Sequence, residues 1–174
     1  MIVPIIKYGS PILRKHSIQV SGEDNLLQIT RDLSETLKKA GGIGLAAPQV
    51  SILKQAFVID TSPITEEDKG VEKYEQVFLN PEIIEFGEDE NYFREACLSI
   101  PDISEEVLRP EIIRVRYYDI NFNRIEEELD GLKARIFQHE YDHLEGILFT
   151  DRLNPLRRKL LKSKLNKIKN SKNN

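Results

Sequence analysis

Residues 132–145 read LKARIFQHEYDHLE. Placed on a helix, they fall into three stripes at i, i+3 or i+4 spacing. Ala134, Phe137, Tyr141 and Leu144 form an apolar stripe, and Arg135, Gln138, Asp142 and Glu145 a polar one. Leu132, Ile136, His139 and His143 form the third. Two mainly apolar faces predict a helix buried on both, and one of those faces ends in two histidines. Residues four apart on a helix have Cβ atoms about 5–6 Å apart, so both imidazoles reach one cation. Glu140 follows the first histidine and projects near the cation's open side without binding it. This is the arrangement of two ligands and a carboxylate base for an activated water. Two histidines four apart are, on their own, most often helix decoration. Glu140 and the apolar stripe weigh against that reading here.

Working outward, Asp130 is the expected N-cap of this helix. Before it, Ile113, Val115 and Tyr117 alternate with Arg114, Arg116 and Tyr118, the two-residue period of a half-buried strand. Residues 121–123 (Asn-Phe-Asn) read as a hairpin turn into a strand at 124–129. Further back, 77–79 and 83–86 read as strands around an Asn80-Pro81 turn, and 55–60 as a short apolar strand. The polar stretch 61–76 reads as a surface loop with no catalytic role. Leu26, Ile29, Leu33 and Leu37 predict an amphipathic helix over 26–40, stopped by Gly41-Gly42. Residues 42–49, GIGLAAPQ, look too glycine-rich for a regular element, and 1–20 look irregular. After the key helix, Pro155 opens a final helix at about 155–169 with Leu156, Leu160, Leu161, Leu165 and Ile168 on one side. Strands in the middle with helices early and late predict an α+β fold, with small antiparallel sheets around the histidine-bearing helix.

The 174 residues, 40% of them hydrophobic, fit one domain over 1–174 with a real core. One cysteine excludes an intramolecular disulfide and points to a reducing compartment. The opening MIVPIIKYGSP lacks the pattern of a signal peptide, and no stretch approaches the ~20 apolar residues of a membrane span. A cytoplasmic location is the expectation. Nine of the 25 Lys and Arg lie in residues 152–174, which hold no acid. The other 151 residues carry 16 basic and 29 acidic side chains, a balance of −13. An acidic body with a basic tail suits an anionic partner such as RNA; the bland reading is a solvated helix packed by its leucines.

Three protein ligands and an open position mark a hydrolytic metal site. The remaining candidates are His16, Cys97 or a carboxylate. His16 sits in the polar segment RKHSIQ and reads as a solvated residue. A free cysteine is most often an inert buried hydrophobe. Beside two histidines and Glu140, a Cys97 thiolate would instead complete a tetrahedral site with one place left for water.

GIGLAAPQ at 42–49, EACLS at 95–99 and QHEYDHLEG at 138–146 resemble the three motifs of the peptide deformylase family, in the family's order. Each is weak to moderate alone; together they are specific. Tyr-Gly-x-Pro-x-Leu-Arg at 8–14 and Arg-Pro at 109–110 extend the resemblance over nearly the whole chain. It implies a metal-dependent hydrolase that removes the formyl group from the formyl-methionine of nascent polypeptides and releases formate. Cys97, His139 and His143 would bind one divalent ion, Fe(II) natively, with Zn(II), Ni(II) or Co(II) in isolated protein. Glu140 would be the general base and then the acid. Gln49, through its side-chain amide, and Leu98, through its N–H, would face the oxyanion. Fixed donors there are worth about 3–4 kcal/mol each. Gly42 and Gly44 would let backbone approach the substrate, and the peptide would add as a strand along Ile43, Gly44 and Leu45. Leu132 and Ile136 would line a pocket for the methionine side chain, against the plainer reading of core packing. The resemblance also implies a ribosome contact through the basic final helix, and an ion pair of Glu95 with Arg109 bracing the cysteine strand. DNA and membranes are not expected partners.

The chain departs from the family at Ala96, where the family has Gly before the ligand cysteine. A positive φ there would cost about 1 kcal/mol or more and displace Cys97. A negative φ would leave the methyl harmless or crowding the substrate. The presence of every proposed ligand predicts an intact site. Two rival readings remain. One is a zinc peptidase, which needs neither Gln49 nor a cysteine ligand. The other is a catalytically inactive, metal-containing peptide-binding relic with a closed four-ligand site, for which Glu140 would be superfluous.

Overall fold

Five antiparallel strands form the larger sheet, one face of which is buried under the helix that carries both histidines. In the computed structural model, which describes residues 1–65 and 72–171, these are β1 (Gly44–Ala46), β2 (Ala56–Asp60), β3 (Glu75–Phe86), β6 (Ile112–Tyr118) and β7 (Arg124–Asp130). Their spatial order is β1-β2-β3-β6-β7. Phe57 and Ile59 of β2 pack with the helix α3 (Gly131–Leu144), whereas Ala56 and Val58 pack with α1 (Leu26–Ala40). That explains why β2 is buried at every position. On the α3 side, Phe57, Phe78 and Phe137 form an aromatic knot with ring centroids 4.8–5.1 Å apart. On the other side Leu33 and Leu37 of α1 cover Leu45, Val58 and Leu79.

A separate two-stranded ribbon, β4 (Glu90–Cys97) with β5 (Ile100–Pro110), delivers Cys97. Its inner face joins a second apolar cluster with Leu13, Phe149, Leu161 and Leu165. Leu161 and Leu165 belong to α4 (Pro155–Asn170), which Asn154 caps by accepting from Arg157 N–H. A one-turn helix, α2 (Ser62–Thr65), follows β2.

The helix over 26–40 and the hairpin of β6 and β7 match the sequence expectation. Several details differ. Residues 42–49 are regular after all: β1 followed by a 3-10 turn over Ala47–Val50. Asn80-Pro81 is no turn; β3 runs through it with a register shift between Leu79 and Glu82. Asn80 takes φ +48 and its side chain clasps both N–H and C=O of Val20, at 2.8 and 2.9 Å. The expected 61–76 loop contains α2 and the start of β3; its residues 66–71 lie outside the described residues. Asp130 occupies the N-cap position of α3, but its side chain makes no capping hydrogen bond. Leu156 and Leu160 are exposed, because α4 turns only Leu161, Leu165 and, in part, Ile168 toward the body. The polar stripe of α3 is not a solvent face: Arg135, Gln138 and Asp142 are buried.

Candidate active site

α3 brings His139 and His143 to the end of β4, where Cys97 closes the group. The ligand atoms of Cys97, His139 and His143 all lie within 4.8 Å of one another, and all three residues are buried. Cys97 Sγ is 3.3 Å from His143 Nε2. Tetrahedral coordination with metal–S and metal–N bonds of about 2.3 and 2.1 Å would separate S and N by about 3.6 Å. The donor set therefore fits a small divalent cation. His139 turns Nδ1 to Glu95 at 2.9 Å, which leaves Nε2 for the ligand role. His16 stays at the surface beside Glu145, away from this group.

Burial governs the electrostatics. It pushes the Glu140 carboxyl up to about 7, and Glu140 Oε2 has no hydrogen-bond partner among the described residues. Burial and the neighbouring His139 and Arg109 hold His143 well below the usual histidine range. For His139 burial acts the same way but is outweighed by Cys97 and Glu95, so its pKa rises. Burial would raise Glu95, yet His139 and Arg109 hold it well below the carboxylate range.

Gln49 reaches the site from the 3-10 turn. Its Oε1 accepts from Ala46 N–H at 2.8 Å, which aims Nε2 at Ser99 Oγ (3.1 Å) and Cys97 Sγ (3.5 Å). Leu98 is the first residue of the two-residue turn from β4 to β5. A cavity of about 790 Å³ opens over these groups. Gly42, Ile43 and Gly44 line one side, Leu132 and Ile136 the floor. Leu45 does not line it; its side chain packs on the α1 side of the sheet. The cavity side of β1 is a free sheet edge. Asp60 N–H donates to Ile43 C=O, which makes Ile43 and Asp60 a bonded pair and directs the N–H and C=O of Gly44 to that edge. Gly44 also passes so close to α3 that a Cβ there would lie 2.4 Å from Glu140 Oε1 and 2.9 Å from Ile136 Cγ2. Ala96 lines the cavity without positive φ, so its methyl strains no backbone and Cys97 stays in place.

A buried ion network stands behind the histidines. Arg109 bonds both oxygens of Glu95 at 2.7 and 2.9 Å and reaches Asp142 at 2.7 Å. Arg135 adds a second cation on Glu95 at 3.0 Å, and Arg152 grips Asp142. The sequence showed only the Glu95–Arg109 pair, through family resemblance. Arg135, Asp142, Arg152 and Ser99 were missed. For Arg135 and Asp142 the one visible signal is a charged stripe on a helix already apolar on two sides; Arg152 and Ser99 carry none.

The family model described as polypeptide deformylase matches residues 2–159. The chain belongs to this family. A peptide deformylase of Cytophaga hutchinsonii is 43% identical over 169 residues, covering 97% of this chain and 91% of that one. One from Zymomonas mobilis is 44% identical over 165 residues, covering 94% and 93%. Among solved structures, a Plasmodium falciparum peptide deformylase superposes with TM-score 0.85 at 39% identity, covering 94% of both chains. A class I type b peptide deformylase of Acinetobacter baumannii, solved with Met-Ala-Ser bound, gives TM-score 0.83 at 36% identity, covering 88% of this chain and 99% of that one. As a member of this family the chain is a metal-dependent hydrolase.

Proposed function

We propose that this deformylase removes the formyl group from N-formyl-methionyl peptides with Cys97, His139 and His143 as metal ligands and Glu140 as the proton carrier. The observation that carries the reading is the coincidence of three converging donors with a buried carboxylate whose Oε2 has no hydrogen-bond partner among the described residues. A divalent ion held there would supply Lewis acidity toward water and the formyl oxygen. Glu140 takes a proton from the attacking water as the new C–O bond forms. Negative charge moves to the formyl oxygen, where Gln49 Nε2 and Leu98 N–H donate to it. Glu140 then returns the proton to the departing amine, the C–N bond breaks, and formate leaves.

The peptide would extend β1 by pairing with Gly44, as β-augmentation does elsewhere, so main-chain bonds tolerate many sequences. The Met-Ala-Ser peptide bound by the Acinetobacter baumannii relative supports a short peptide beginning with methionine as the ligand class. The methionine side chain would enter between Leu132 and Ile136. Fe(II) is the native ion on the family's pattern; thiolate and imidazole also suit zinc, nickel and cobalt. A cytoplasmic site of action follows from the nascent-chain substrate. No described helix is long and apolar enough to cross a membrane. The exposed Lys159, Lys162, Lys164 and Lys167 of α4 suit contact with ribosomal RNA.

Replacing Glu140 by Gln tests the assignment. Metal content should persist while formate release falls by about 10²–10⁴-fold. Unchanged turnover would remove Glu140 from the mechanism.

A further inference from the structure

Residues 6–8 cross behind the two segments that supply the oxyanion donors. Ile6 N–H donates to Gln49 C=O at 2.7 Å, and Tyr8 N–H donates to Ser99 C=O at 2.8 Å. Between them, Lys7 Nζ donates to Leu98 C=O at 2.7 Å. Neighbouring side chains of an extended segment point to opposite sides. Ile6 and Tyr8 pack on the cluster of Leu13, Cys97 and Phe149, while Lys7 lines the cavity with Gly42, Gln49 and Leu98.

Leu98 and Ser99 form the turn of the β4–β5 ribbon, where ladder bonds end and a register shift has just occurred. The ladder closes at the Cys97–Ile100 pair, so the Leu98–Ser99 peptide plane lies outside it. Cys97 anchors one end of this turn through its ligand role. The contacts from residues 6–8 anchor the other. Gly9 follows the strap at φ +95, and a Cβ there would lie 2.5 Å from Lys169 Cγ and 3.1 Å from its Cα. The strap is thus wedged between the oxyanion segments and the end of α4.

We propose that Lys7 is a positioning residue of the oxyanion pocket: its ammonium fixes the Leu98–Ser99 peptide plane, which, with Cys97 holding the other side, restrains the Leu98 backbone and thereby its N–H relative to Gln49. This rests on the deformylase reading and on the roles given to Gln49 and Leu98. A fixed donor in such a pocket is worth about 10²–10³ in kcat when removed outright. A donor left in place but loosely aimed forfeits part of that, on the order of 10-fold.

The test compares wild type with Lys7→Met and Lys7→Arg, all loaded with zinc. The readouts are kcat and KM for a formyl-Met-Ala-Ser peptide, the unfolding temperature, and amide hydrogen exchange at residues 98–99. Lys7→Met should lower kcat about 10-fold with KM within 2-fold, speed exchange at 98–99, and leave the unfolding temperature nearly unchanged. Lys7→Arg, which keeps a donor and the charge, should recover most of the loss. Unchanged kcat in Lys7→Met would overturn the proposal. So would a loss that tracks a fall in unfolding temperature and that Lys7→Arg does not rescue, since that marks a merely structural lysine. If wild type releases no formate, the deformylase reading fails; the exchange measurement still reports whether Lys7 orders the turn.

Discussion

The carboxylate of Glu95 accepts a hydrogen bond from His139 Nδ1 at 2.9 Å, both residues being buried. Glu95 is held ionised by its cations, so it can only accept, and His139 must carry the proton on Nδ1. That fixes the tautomer and presents the Nε2 lone pair to a metal. Glu95→Gln keeps the shape but weakens this bias. Metal affinity should fall about 10–100-fold, read by competition with a chelator on protein that circular dichroism shows to be folded. Unchanged affinity would mean that packing alone orients the ring.

Arg109 stands between Glu95 and Asp142 and is buried with both. Removing it takes from both carboxylates their shared buried cation, leaving Glu95 to Arg135 and Asp142 to the exposed end of Arg152. Arg109→Met should destabilise the fold by about 3–5 kcal/mol in urea unfolding, well beyond the ~0–1 kcal/mol of a surface pair such as Arg116–Glu126.

Gly44 leaves no room for a side chain beside Glu140. In Gly44→Ala the new methyl must displace Glu140 or push β1 off α3. Formate release should drop at least about 10-fold with bound metal retained, since small misplacements of a catalytic group carry large penalties. Metal analysis alongside steady-state kinetics reads both.

The periodic elements were legible in the sequence because burial has one period per element: α1 and α3 show theirs, and β6 shows its alternation. Asn80-Pro81 misled because those residue types usually end a strand, whereas here Asn80 N–H still donates to Gln55 C=O and its side chain clasps the main chain of Val20. Leu156 and Leu160 misled because apolar residues at helical spacing need not face the body. The ligand pair His139 and His143 was legible as a local spacing. The network behind it was not, since Glu95 and His139 are 44 positions apart and Arg109 and Asp142 33 apart. Charged residues in a sequence carry no mark of the burial that a distant partner makes tolerable. Leu45 reads as part of a binding motif, yet strand alternation sends its side chain to α1.

Ile136 is both core and cavity wall. Ile136→Ala should shift preference toward peptides whose first side chain is bulkier than methionine, and lower kcat/KM for methionine about 10-fold, as expected for lost pocket contacts. Equal losses across all first residues would assign Ile136 to core packing alone.

The central claim is tested most directly by formate release from a formyl-methionyl peptide beside the same peptide acetylated, using protein loaded anaerobically with Fe(II). The structure, with Cys97 in place behind Ala96 and Glu140 buried at the metal group, predicts rapid release from the formyl peptide and none from the acetyl control. No release with iron shown to be bound would contradict the account.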